Sequence, residues 1–125
     1  MKKIIKTENA PAPIGPYNQA VLANGTLYVS GNIAINPTSG ELVMDDIKAE
    51  TKQVMENLKA VLKAADMDFS NVVKCSIFIS DMNNFTEINE VYGSYFLSNY
   101  PSRETVEVSC LPKSVNVEIS AVAVK

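Results

Sequence analysis

Residues 71–96 read NVVKCSIFISDMNNFTEINEVYGSYF, and the hydrophobic period changes within them. Over 71–80 apolar and polar residues alternate. That predicts a strand with Val73, Cys75, Ile77 and Ile79 on one face. From Phe85 onward the period lengthens. Phe85, Ile88, Tyr92, Tyr95 and Phe96 recur at helical spacing and form one apolar stripe. Asn84, followed three residues later by Glu87, has the form of a capping box at the start of this helix.

The same alternation of periods extends to both sides. Upstream, residues 46–65 predict a helix in which Ile47, Thr51, Val54, Leu58, Val61, Leu62 and Ala65 share a face. Asp45 or Asp46 is its expected N-cap. Before it, residues 2–6, 19–23 and 26–30 read as strands, and Asn24-Gly25 between the last two is a hairpin signal. Between the first and second lies APAPIGPY, residues 10–17, a proline-stiffened connector that ends on Tyr17. Downstream, strands are expected near 104–110 and 115–124, joined through LPKS. The order is β-β-β-α-β-α-β-β. Each helix is apolar on one side only, so both are expected to cover one face of a sheet. The fold class is α+β, as one domain over residues 1–125.

Composition narrows the chemistry. The chain carries 11 basic and 14 acidic residues for a net charge of −3. That argues against phosphate-backbone binding, so no nucleic-acid partner is expected. No stretch approaches the length of a membrane span, and the N-terminus has no apolar core of a secretory signal. There is no histidine, and the two cysteines, Cys75 and Cys110, have no metal-like spacing. No metal site and no histidine-based nucleophile triad is expected. The composition fits a cytosolic protein with reduced thiols.

The sole arginine is Arg103, in YPSRETVEV at residues 100–108; the other ten cationic side chains are lysines. Its planar fork suits a small carboxylate, while the alternative is a solvated surface arginine. A simple hairpin of the last two strands, with Cys110 opposite Val115, pairs Val106 with Ile119 and Val108 with Val117 on an apolar face. Thr105–Ser120, Glu107–Glu118 and Ser109–Asn116 then share a polar face that also holds Arg103. That face is either solvated or lines a cleft between subunits. In this register Arg103 lies roughly 13 Å along the strand from Glu118, close enough only if the two reach toward each other or meet across a subunit boundary. Glu118 opposite Glu107 is a candidate acid/base, because two desolvated carboxyls raise one pKa. The other reading is a pair of exposed glutamates that turn apart. Tyr17 ends the stiff loop. Gly31, after Ser30, permits close backbone approach or marks a bulge. Asn89 lies beside the stripe of the second helix. Cys110 falls on the apolar side and is read as packing.

Taken together, APIGPYNQAV, YVSGNIAINPTSGEL, QVMENLKAVLKAA, NVVKCSIFISDMNNFTEINEVYGSYF and YPSRETVEVSCLPKSVNVEISAVA resemble, in order, segments of the RidA (YjgF) family of enamine/imine deaminases. The resemblance implies a chorismate-mutase-like fold assembled as a homotrimer, with the sheets forming an inner barrel and the sites in clefts between subunits. It implies hydrolysis of 2-iminobutanoate, 2-iminopropanoate or 2-aminoacrylate to 2-oxo acids and ammonia, without a cofactor. Arg103 matches the family's carboxylate-holding arginine, and Glu118 the glutamate that positions or activates water. Tyr17, Ser30, Gly31 and Asn89 match pocket positions, and Thr105 stands where several members have cysteine. Asn18 and Asn32 also depart from the common pattern, and with Thr105 they bear on substrate preference more than on the reaction. Cys110 stands where many relatives have arginine, and Ser120 where they have a second glutamate, which leaves Glu118 as the acid/base candidate on its strand. The rival expectations are a regulatory module that binds a small carboxylate and a chaperone-like trimer without turnover.

Overall fold

The computed structural model describes residues 1–125. In chain order the elements are β1 Lys3–Ile5, β2 Ala20–Ala23, β3 Thr26–Asn32, α1 Ile47–Ala64, β4 Val72–Ile79, α2 Phe85–Gly93, β5 Ser102–Glu107 and β6 Val117–Val124. The predicted order of strands and helices is therefore present. Asn24 and Gly25 both take positive φ, 51° and 77°, as a two-residue turn between twisted strands requires. Asp46 caps α1, its carboxylate accepting from the Ala49 amide at 2.7 Å. The capping box expected at Asn84 is absent. That residue is itself helical and its side chain caps nothing, because a short 3₁₀ turn capped by Asp81 precedes α2.

The six strands form one mixed sheet in the order β1-β2-β3-β6-β4-β5. β6 runs antiparallel to both β3 and β4, and β4 pairs in parallel with β5. The expected β5–β6 hairpin does not form. β4 lies between them, and α2 is the crossover of a β4-α2-β5 unit. Residues 108–116, with a 3₁₀ turn at Pro112–Ser114, connect β5 to β6. That span exceeds an ordinary hairpin loop and carries the chain past β4. Two readings fall with the hairpin. Glu107 does not face Glu118, and Cys110 is exposed rather than packed.

β6 alternates as its sequence does. Val117, Ile119, Ala121 and Ala123 are buried toward the helices, while Glu118, Ser120 and Val122 face the other way. On β4 the inward residues are Cys75, Ile77 and Ile79, each fully buried. Val73 does not join them, because a register shift between Val72 and Lys74 turns Val72 inward instead. Val54, Leu58, Val61 and Leu62 of α1 and Ile88 and Tyr92 of α2 complete this core. Both helices thus lie on one sheet face. The other face is uncovered and more apolar than expected. Ile4, Tyr28 and Val106 are about half exposed there, with Phe78 and Val122 on the same side.

Candidate functional site

The sheet register separates the candidate residues into two groups. In the parallel β4–β5 ladder Arg103 pairs with Cys75 and Thr105 with Ile77, so both point to the helix side. Glu118 pairs with Phe78 and points to the open side. Glu118 is level with Val106, two strands away, and Arg103 lies three residues down β5. Their Cα atoms are therefore roughly 14 Å apart, on opposite faces. One chain does not bring Arg103 and Glu118 onto one ligand.

The first group is built on α2 and the edge strand β5. Arg103 Nη1 donates to Asn89 Oδ1 at 2.7 Å. The guanidinium carbon sits 5.1 Å from the ring centre of Tyr92 and 5.7 Å from that of Phe85. These ring contacts orient the fork and leave its remaining donors available. Asn89, Tyr92, Tyr100, Pro101 and Arg103 line one hollow. Thr105 lies two residues along the same strand face, its hydroxyl buried and without a partner inside the chain. Burial pushes the Tyr92 phenol well above its usual range, so it stays a neutral donor. Tyr92 and Phe85 belong to the stripe legible in the sequence, but their stacking on arginine was not.

The second group is built on the β3 bulge and the loop before β2. Ile14, Tyr17, Ser30, Gly31, Pro112 and Glu118 are among the residues that line it. The register between β3 and β6 shifts between Val29 and Asn32, which places the bulge at Ser30-Gly31. Ser30 Oγ donates to the Asn18 carbonyl at 2.6 Å, so this hydroxyl pins the loop. Tyr17 is half exposed, and its hydroxyl accepts from the Ile14 amide at 3.3 Å. The loop itself is fastened by Gln19, which sequence reasoning placed only as a strand residue. Its amide nitrogen reaches the carbonyls of Thr7, Ala10 and Pro11, and its oxygen accepts from the Thr7 amide.

Gly31 faces Glu118 directly. A Cβ on Gly31 would lie 2.7 Å from the Glu118 carboxyl carbon and 2.8 Å from Oε2. Only glycine lets the bulge and the carboxyl occupy this space. The Glu118 pKa is raised, as expected, but the cause is burial, not a facing carboxylate. The sign has a consequence for stability. At pH values below the ordinary glutamate range the carboxyl is protonated in both folded and unfolded chains, and burial costs nothing. As pH rises from that range through the raised folded value, the folded state retains the proton longer and is progressively penalised. Glu118→Gln is therefore expected to have a higher Tm than wild type at pH 7, with the difference vanishing near pH 4. Paired calorimetric scans at the two pH values check this.

Two further polar residues escaped the sequence reading. Glu50 and Asn57 of α1 are fully buried. Asn57 Nδ2 holds the carbonyls of Ile33 and Ile35 at 3.0 and 2.9 Å, shaping the segment beyond the bulge. Both fall in phase with Ile47, Val54 and Val61, and a polar residue inside an apolar stripe was the signal that could have found them.

Comparison with known proteins places these features in a family. The model of the family described as endoribonuclease L-PSP matches residues 7–125. A RutC family protein of Pyrococcus horikoshii is 51% identical over the whole of this chain and 99% of its own length. The human 2-iminobutanoate/2-iminopropanoate deaminase is 46% identical over the whole of this chain and 91% of its own. The crystal structure of E. coli TdcF with bound serine superposes with a TM-score of 0.95 at 40% identity, covering 98% of each chain. The chain is a member of the endoribonuclease L-PSP family, the YjgF/RidA family.

Proposed function

We propose that this protein is a hydrolytic deaminase of small 2-imino acids and their enamine tautomers. On this reading 2-iminobutanoate, 2-iminopropanoate and 2-aminoacrylate become 2-oxo acids and ammonia. The observation that carries it is the single arginine, held by Asn89 and two aromatic rings with donors to spare. Full-length relatives named as deaminases of these imines, at 46% and 47% identity, support it. The net charge of −3 weighs against RNA cleavage, despite the name of the family model.

The chemistry is within reach of these groups. A protonated imine carbon is already electrophilic, so catalysis needs orientation, a placed water and proton transfer. Arg103 grips the substrate carboxylate. Glu118, poised by burial, takes a proton from water as oxygen adds to the imine carbon. The same carboxyl returns the proton to nitrogen. As ammonia leaves and the carbonyl forms, the carboxylate takes the proton of the added hydroxyl and passes it to solvent. Because Arg103 and Glu118 lie on opposite faces of one sheet, the site is completed between subunits. Tyr17, Ser30, Gly31 and Glu118 of one copy meet Arg103, Asn89 and Thr105 of the next. A homotrimer also covers the sheet face on which Tyr28, Ile4 and Val106 are exposed.

Serine held by the related TdcF favours a second reading, a module that binds small carboxylates without turnover. A coupled assay separates the two. A threonine dehydratase generates the imine, semicarbazide traps it, and wild-type or Arg103→Ala protein is added. Less trapped imine with wild type alone is expected. No effect from wild type overturns the deaminase and leaves the binding module.

A further inference from the structure

The strand that carries Glu118 begins at a buried clasp. Glu50 lies in the first turn of α1 and is fully buried. Its Oε2 accepts from the backbone amides of Asn116 at 2.8 Å and Val117 at 3.2 Å, and its Oε1 accepts from Asn116 Nδ2 at 2.8 Å. Asn116 is held from its other side by Ser80, whose amide donates to the Asn116 carbonyl at 3.1 Å. The Ser80 hydroxyl donates to Asn116 Oδ1 at 3.2 Å. The two residues before Glu118 are thus fixed by α1 on one side and the end of β4 on the other.

A carboxylate is a costly choice for this place. The ion pairs of the chain are Lys48–Glu90 and Lys74–Glu104, and neither includes Glu50. Burying a charge without a cation is unfavourable unless hydrogen bonds replace its water. Three N–H donors do so here. Charge-assisted bonds are shorter and stronger than neutral ones, so the gain is firm placement of their donors. Val117 points into the helix layer and Glu118, the next residue, to the opposite face. Glu118 also packs against Gly31 with no room to spare. A small shift at the start of β6 therefore moves the carboxyl relative to the bulge.

We infer that Glu50, acting through Asn116, is a positioning residue for Glu118. It fixes the strand start so that the Glu118 carboxyl meets the substrate carbon of the reaction proposed above, and the inference rests on that reading. Glu50 contacts no substrate. Arg103 lies on another strand and the other face, so substrate binding through its carboxylate is independent of the clasp.

The test is steady-state kinetics on intact, full-length Glu50→Gln, with Glu118→Gln run in parallel. Glutamine keeps the shape but turns a donor toward Asn116 Nδ2. The expected result is kcat lowered about 10-fold with KM changed less than about 2-fold. Adding Asn116→Asp restores kcat, because the Asp carboxylate accepts from the glutamine amide while the glutamine oxygen keeps the backbone amides. Wild-type kcat in folded Glu50→Gln overturns the inference. So does a double variant that regains wild-type thermal stability while kcat stays low. If Glu50→Gln does not fold, Asn116→Ala, which removes the side-chain donor to Glu50, decides: lower kcat at unchanged KM supports the clasp, and unchanged kcat refutes it. Full activity in Glu118→Gln would instead defeat the role of Glu118 itself, whatever Glu50→Gln shows.

Discussion

Arg103→Lys is expected to lower kcat/KM toward 2-aminoacrylate by about 100-fold, a loss of about 2.7 kcal/mol of transition-state stabilisation. The substitution keeps the positive charge and much of the side-chain length. What it removes is the fork. In the structure one guanidinium nitrogen is committed to Asn89, and the plate is held near Tyr92 and Phe85. The remaining N–H groups are free to meet both oxygens of a carboxylate. A lysine ammonium is a compact, strongly hydrated point charge, and it cannot bond Asn89 and present a parallel pair to the substrate together. The effect should appear mainly in KM, because in the proposed reaction the arginine binds the part of the substrate that does not react. Tm should stay close to wild type, since Arg103 is only partly buried at the sheet edge. Near-wild-type kcat/KM in this variant would remove Arg103 from the site.

Gly31→Ala is expected to behave in the opposite way, lowering kcat by about 100-fold with a smaller change in KM. One methyl group is added, and it would stand 2.7 Å from the Glu118 carboxyl carbon. The obstructing atoms are the far end of a flexible side chain, so the fold accommodates the change by swinging the carboxyl aside. A displacement of about 1 Å in a reacting group is enough for a loss of that size. Backbone strain is not the cause, because Gly31 is not among the glycines with positive φ. Kinetics and a thermal melt on the same preparation check both halves: kcat falls while Tm holds. Wild-type kcat would show that the placement of Glu118 against the bulge has no part in the chemistry.

The two variants probe positions that were legible in the sequence to different degrees. The lone arginine and the glycine after Ser30 stood out as residue types with few alternatives. The change of period at Phe85 and the Asn-Gly turn fixed most elements, since both are local signals. The partner of β5 was not local. On β6 the alternation of Val117, Ile119, Ala121 and Ala123 with polar residues names a buried face, but not which strand lies beside it. β5 is an edge strand, exposed along its open face and only partly buried along the other, with Val106 as its one apolar residue. A strand patterned so weakly does not specify its register. The hairpin reading therefore put Arg103 and Glu118 on one face, whereas the parallel pairing with β4 puts them on two. The buried clasp at Glu50 was hidden for another reason. Its donors lie 66 and 67 residues away in sequence, and no local pattern announces a contact of that range.

That separation of faces makes the intersubunit site the central claim, and one mixing experiment addresses it. Arg103→Ala and Glu118→Gln proteins, each inactive alone, are unfolded together in equal amounts, refolded, and assayed for removal of 2-aminoacrylate. If each cleft takes its arginine from one subunit and its glutamate from the next, random assembly leaves about a quarter of the clefts intact, and activity returns to about a quarter of refolded wild type. If both residues serve a site within one chain, every site in the mixture carries a substitution. No activity from the mixture, with full recovery of wild type treated the same way, would contradict the account.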